Sequence, residues 1–573
     1  MLDCNEIRLI WHRRDLRLHD NPLYSSDNEQ HRTKSLILSV YIFDTAFFRP
    51  RPSITTSCDA WNTVDVGPHA ARVLLETVSD LRKNLRSKGS ELLIRYGDPL
   101  EILPKLAAAI GAKEVCWSEE PGVYEARLSR ELQLKLKDQV LVSTYCTYTL
   151  YHPDDLPRGS NEWAQLAHPK QKRSKKPGMG KPPQGTQKHN NNTEGPTVVA
   201  KPVQVQYVVD VSTERFNGAP KVMGDFRRAC RTFKPLRPSL PSPSTLEKPD
   251  IPEHIEIGDL PSLYDLVRPL LDSKIPILGM RQDIIHEIVA SAQRLSESTD
   301  PWISRGGESQ AIHRLDHFVN HGHAKSADRS LAEVQGNGSS KLSVHLAMGS
   351  ISPRLITEMA KKAGDDCSWL ISHLEMRDFF LYSAIIYGHR LFHIDGMPVN
   401  KKAAGCLQWN SPTSNPCIKD HWQRWALGHT GLPLIDAAMS ELRATGYCSN
   451  RVRQNAASVL TKDLGIDWRA GAEWYQLLLE DHCVGANWGN WMYFAGVGSD
   501  PKHRHFRTVS QARRYDPHGS YVSKWIPRLA LEADIEVKLR PWNFLDDWGD
   551  VIVDPMTQYT WHDLQKLDGD KAI

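Results

Sequence analysis

A change of period along the chain constrains its fold more than any other feature. Short apolar runs at Ile7–Trp11, Leu36–Phe43, Glu91–Tyr96, Glu114–Trp117 and Val140–Ser143 alternate with helical patterns at His69–Arg86, Leu100–Ala109 and Tyr124–Leu136. The runs are rich in Ile, Leu and Val and nearly continuous in apolar character. That pattern predicts strands buried on both faces, in a parallel sheet covered by helices. Such a sheet takes its ligand at the carboxyl ends of the strands. No G-x-G-x-x-G follows the first run, which argues against a dinucleotide-dependent dehydrogenase.

Beyond this region the period becomes helical. After Pro433, the residues Leu434, Ile435, Met439 and Leu442 form one apolar face, and Gly446 follows as a stop. Val452, Ala456, Val459 and Leu460 form the next face, which ends before Gly465. The expected fold is an α/β N-terminal domain with a parallel five-stranded sheet, over 1–156, and an all-α C-terminal domain over 216–530. Residues 157–215 are rich in Lys, Pro, Gly and Asn and read as a disordered linker or loop, and 531–573 as a C-terminal extension. The basic cluster Lys170, Lys172, Arg173, Lys175 and Lys176 fits a solvated linker, a nuclear-import signal or a phosphate-binding arm. A second Pro-rich connection runs from Lys234 to Pro252.

With 573 residues, the chain exceeds what one core holds. Its net charge of +3 means that any nucleic-acid face has to be local. The ten cysteines form no C-x-x-C pair, so reduced thiols are expected rather than a disulfide frame or a metal site. No apolar run is long enough to span a bilayer, so no membrane partner is expected. The first strand begins almost at once after acidic Asp3 and Glu6, which leaves no room for a signal peptide. Cytoplasm or nucleus is the expected compartment.

The segment TGLPLIDAAMSELRATGYCSNRVRQNAASVLTKDLGIDWRAGAEWYQLLLEDHCVGANWGNWMYFAGVGSD resembles the FAD-binding core of the photolyase/cryptochrome superfamily. WHRRDLRLHDNPL at the start, TLYHPDDLP, GGES and GSSKLSVHLAMGSISPR extend the resemblance over nearly the whole chain outside the linker. Gln454 after SNRVR, Tyr493 in NWGNWMY, and YDPHGSYV are most similar to the DASH cryptochromes.

Ser339, Ser340 and Ser343 lie in a hydroxyl-rich segment that, taken alone, fits a helix cap. The resemblance implies instead that it grips the FAD phosphates. It also implies flavin contacts for Arg377, for Arg453 and its partner carboxylate Asp481, and for Leu342, His373, Asn450 and Cys483. Asn487 aligns with the residue facing flavin N5, where an amide offers both a donor and an acceptor. Trp491, Trp468 and Trp409 match an electron-transfer chain, with Trp409 lying across a variable segment. Glu120 in VCWSEEP resembles the carboxylate that binds a folate antenna such as 5,10-methenyltetrahydrofolate; from the residues alone, a solvated helix-start glutamate fits equally. Arg451, Arg507 and Gln454 match DNA-contacting positions. His323 stands where a flavin-contacting tyrosine is common.

Two departures matter for function. Relatives that repair DNA carry a glutamate four residues before the arginine of W-R-D-F. In HLEMRDFF, His373 holds the glutamate position and Met376 the tryptophan position. Glu375 is nearby but points away from 373 and 377 on a helix. The expectation is therefore a blue-light photoreceptor that photoreduces FAD through tryptophans, with DNA or a signalling protein as partner. A pyrimidine-dimer photolyase, with single-stranded DNA among its candidate substrates, is the rival enzyme reading, and a light-independent flavin-binding signalling scaffold is the third.

Overall fold

The computed structural model describes residues 6–24, 35–56, 60–167, 216–301, 303–325, 330–331, 338–397, 407–499, 504–560 and 563. Five parallel strands, β1 (Ile7–His12), β2 (Leu36–Asp44), β3 (Leu92–Gly97), β4 (Glu114–Ser118) and β5 (Leu141–Tyr145), pair in the order β3-β2-β1-β4-β5. Each lies within a residue or so of its predicted run. Helices α1 (Pro68–Ser87), α2 (Pro99–Ala109) and α3 (Val123–Leu136) cross between strands. Both α1 and α2 start with proline at the first position, where the missing N–H costs nothing, and Asp98 caps Leu100 N. Strand order reverses between β1 and β4, so the loops after them diverge and open a crevice at His12–Arg14 and Glu119–Glu120.

The helical half includes α4 (Ser368–Tyr387), α5 (Pro416–Leu427), α6 (Asn450–Ser458), α7 (Trp468–Leu478) and α8 (Val484–Ala495). Helix Pro433–Thr445 ends at Gly446, whose φ of 74° is the left-handed value a side chain would resist. The helix carrying Val459 and Leu460 closes with one π turn, Val459–Asp463. The two halves are bolted together by buried polar contacts. Arg72 of α1 reaches Glu480 at 3.0 Å, and Glu473 accepts from Ser53 Oγ and Ile54 N. The Pro-rich connection lies along the sheet, where Ile37 N donates to Glu247 O.

The segment expected to be a linker from 157 begins instead with a helix, Gly159–Ala167. Its Trp163 is buried against Phe226 at 5.8 Å, so a single indole supplies the apolar anchor that the polar composition conceals. The basic cluster at 170–176 lies outside the described residues. In the C-terminal extension, Leu539 is buried and Trp548 Nε1 donates to Gly431 O, which ties that stretch to the helical core. No described helix is long and apolar enough to cross a membrane.

Candidate functional site

A cavity of about 730 Å³ opens between α4, α6, α7, α8 and the 338–348 segment. One end is built from Ser339, Ser340, Leu342 and Ser343. Lys341 between them has φ 50°, a bend that Ser339 and Ser340 hold by accepting from Lys341 N and Leu342 N. Arg314 braces this loop from behind, donating to Ser339 O and Ser340 O at 2.5 and 3.0 Å. Burial, with Arg314 adding to it, lowers the Lys341 ammonium to about 8. Its Nζ sits 5.1 Å from the Tyr447 ring centroid. This end of the cavity is therefore cationic and rich in hydroxyls.

The middle is lined by Arg377, Arg453, Asp481, Cys483 and Asn487. Arg377 donates to Tyr148 O and Leu346 O, so it locks the loop after β5 to the helix Ser343–Met348. Arg453 Nη2 lies 3.0 Å from each oxygen of Asp481, and its Nε donates to Cys448 O. Burial alone would lower the Arg453 pKa, but Asp481 more than offsets it and the guanidinium stays charged. Asn487 lines the cavity, and its Nδ2 donates one hydrogen to Ala472 O at 2.9 Å; this helix-to-helix bond fixes the amide and leaves its second N–H and Oδ1 for the cavity.

His373 and Met376 both line the wall, and His373 sits edge-on to Trp369 at 5.2 Å. Glu375 faces the other way, buried, gripping Arg227 and Arg231 and accepting from Tyr151 OH. It has no path to the cavity without turning the helix. Asn450 and Arg451 line the mouth, and the Arg451 guanidinium stacks 4.1 Å from the Tyr515 ring centroid. Gln454 lies half-buried on α6, away from the lining, and Arg507 donates to Thr557 O on the C-terminal stretch. His323 is not at the cavity; its ring stacks on His317 at 5.0 Å.

Of the three tryptophans, Trp491 forms cavity wall and Trp468 is buried on α7 with Nε1 donating to Ile394 O. Gly471, one turn beyond Trp468, makes room for the Trp491 ring. Trp409 is half-buried, and its neighbour Asn410 bridges to Ile466, just before α7. Trp369, Tyr475, Lys341 and the bracing Arg314 escaped the sequence reading. Trp369 is legible in principle, four residues before His373 on one helical face; Arg314 is not, because only the fold brings it to the serines.

A second, small cavity of about 60 Å³ lies at the crevice between β1 and β4. Arg13, Arg14, Tyr41, Glu120 and His482 contribute to it. Glu120 is buried, which removes the solvated reading; its Oε1 accepts from Arg14 N at 2.9 Å and lies 3.6 Å from Arg13 Nε. Arg13 Nη1 and both ring nitrogens of His482 are buried with no partner. Burial, with Arg14 next, pushes His482 down to about 3, so it is a neutral imidazole. A wider opening of about 640 Å³, reached past Asp44 and Leu128, adjoins it.

A doubly covered parallel sheet joined to a helical domain, with a cavity cationic at one end and walled by tryptophan at the other, defines a flavoprotein of the photolyase class. Residues 8–188 match the DNA photolyase domain, and 369–559 match the FAD binding domain of DNA photolyase. The chain is 33% identical over 555 residues to the cryptochrome DASH of Gloeobacter violaceus, covering 94% of this chain and 88% of that one. The crystal structure of the Synechocystis cryptochrome superposes with a TM-score of 0.69 at 29% identity, over 100% of both chains. An archaeal photolyase from Sulfolobus tokodaii, solved with two FAD molecules, shares the fold at TM-score 0.63 and 18% identity, over 98% of this chain and 100% of that one. The chain belongs to the cryptochrome DASH branch of the photolyase/cryptochrome family.

Proposed function

We propose that this chain is a blue-light photoreceptor that holds FAD in the large cavity and photoreduces it through tryptophans beginning at Trp491. The observation that carries the reading is an oxidisable indole in the cavity wall, seated on Gly471, one turn of α7 from buried Trp468. The cavity's volume falls within the roughly 300–1,000 Å³ of pre-formed ligand sites. Its polar groups also suit the cofactor. Ser339, Ser340 and Lys341, braced by Arg314, would hold a pyrophosphate; Arg377 and the Arg453–Asp481 pair would orient a polar ring; Asn487 Oδ1 would accept from a ring N–H. Bound FAD supplies a chromophore whose excited state takes up one electron. Arg451 at the mouth is the group for a DNA phosphate.

Photoreception is favoured over dimer repair because His373 and Met376 occupy the wall where a glutamate and a tryptophan would serve a lesion. The test is an absorption spectrum of the purified protein before and after blue light with a thiol reductant. Flavin bands that bleach are expected. A colourless protein that also fails to take up added FAD would refute the reading.

The Glu120 cavity, together with the wider opening that adjoins it, supports an antenna. The partnerless Arg13 Nη1 and His482 nitrogens, beside the Glu120 carboxylate, offer a donor, an acceptor and an anion to a planar heteroaromatic such as a folate pterin. The Sulfolobus photolyase, whose second FAD implies a novel light-harvesting cofactor, lends analogy to a second chromophore.

A further inference from the structure

A second row of indoles leaves the cavity in a direction that the Trp468–Trp409 chain does not use. The Trp491 ring lies edge-on to Trp425 at 6.1 Å, and Tyr475 flanks both, at 5.2 Å from Trp491 and 6.4 Å from Trp425. Trp425 stacks on Trp422 with centroids 5.6 Å apart and planes at 27°, and Trp422 stacks on Trp61 at 6.1 Å and 28°. Trp425 and Trp422 are completely buried. Trp61, from the loop of the α/β half that enters the helical core, is 4% exposed.

Aromatic pairs in a core favour offset or edge-to-face contact in any direction, so packing alone does not demand a row that starts at a cavity wall. The polar contacts of the row bear on charge. Trp425 Nε1 donates to Ala456 O and Trp422 Nε1 to Leu278 O, each at 3.0 Å. A carbonyl dipole facing the indole N–H favours positive charge on the ring. A carbonyl is too weak a base to keep the proton, so an oxidised indole there remains a mobile cation. Trp61, 4% exposed, is the outermost of the three indoles.

We propose that Trp425, Trp422 and Trp61 form a second route by which a hole leaves Trp491, making Trp491 a branch point; this rests on the photoreduction reading above. In electrons, Trp491 gives one to the light-excited oxidant in the cavity, then Trp425 gives one to oxidised Trp491, Trp422 to Trp425, and Trp61 to Trp422. A thiol in solution returns one electron to Trp61. No covalent bond breaks along the row.

The experiment follows the tryptophan radical by transient absorption in the FAD-loaded full chain, for wild type, Trp468→Phe, Trp425→Phe, the double variant and Trp491→Phe. Because two routes share the hole, either single variant lowers the long-lived radical yield about twofold, and the double variant falls to the level of Trp491→Phe. Flavin content and near-ultraviolet circular dichroism of the flavin-free proteins control for folding. The stacked Trp422 pairs give an exciton couplet in the far ultraviolet that Trp422→Phe removes, and Trp422→Phe lowers the radical yield as Trp425→Phe does. The route is overturned if Trp468→Phe alone matches Trp491→Phe, or if Trp425→Phe and Trp422→Phe change nothing in the Trp468→Phe background. A wild type that forms no tryptophan radical refutes the photoreduction reading itself, a result distinct from either of these.

Discussion

The Trp491 ring occupies the space that a side chain on Gly471 would fill: a Cβ there would stand 2.2 Å from Trp491 Cη2 and 2.5 Å from Cζ3. Indole is rigid and Trp425 and Tyr475 flank it, so it can yield only toward the cavity it lines. Gly471→Ala should therefore destabilise the protein by about 1–3 kcal/mol, despite the roughly 1 kcal/mol by which alanine favours a helix. Urea unfolding reads this directly. A variant as stable as wild type would show that Trp491 is not wedged against α7.

Lys341 sets a pH dependence. Burial lowers its folded pKa from 10.5 to about 8, so the cation weakens as pH rises through that value. A pyrophosphate binds the protonated form better, so FAD affinity should be full below about 8 and decline above it. Lys341→Arg keeps its charge at these pH values and should flatten the decline. Equilibrium flavin binding from about pH 7 to about pH 10 checks both; a flat wild-type profile would detach Lys341 from the phosphates.

Repair of pyrimidine dimers should be weak. Flipping a lesion costs a few kcal/mol, and stacking on an aromatic side chain returns about 1–3 kcal/mol per base, a contact that Met376 supplies only softly. A neutral imidazole at His373 has one donor and one acceptor in fixed directions, a poorer match to a lesion than a carboxylate that accepts on two oxygens. His373→Glu/Met376→Trp should gain activity on dimer-containing single- and double-stranded DNA under light. Repair by wild type at the rate of its own double variant would favour the enzyme.

Much of this architecture is legible in the sequence because strand and helix periods are local. Ile7–Trp11 and Pro433 with Gly446 mark real elements for that reason. The direction of Glu375 also follows from helical geometry alone, and it is found facing Arg227 and Arg231. What escaped depends on tertiary contact. Trp163 anchors a helix in a polar stretch by packing on Phe226, and Arg314 reaches Ser339 only through the fold. Asn487 is anchored through one N–H to Ala472 O, on a different helix, which no spacing along α8 reveals.

The antenna rests on Glu120. If a folate binds beside it, the wild type should show a near-ultraviolet band beyond those of flavin, and Glu120→Gln should lose it while keeping FAD. His482→Ala should weaken the same band, because its two ring nitrogens, with Arg13 Nη1, are partnerless groups of that cavity. Absence of the band after incubation with reduced folate would leave Glu120 as the partner of Arg13 and Arg14 alone.

The central claim is that light drives electrons into the cavity through Trp491, and Trp491→Phe tests it most directly. Phenylalanine keeps an aromatic ring in the cavity wall but is far harder to oxidise than indole. Flavin photoreduction with an external thiol should be fast in wild type and abolished or greatly slowed in Trp491→Phe at equal flavin content. A Trp491→Phe protein that binds FAD and photoreduces at the wild-type rate would contradict the account.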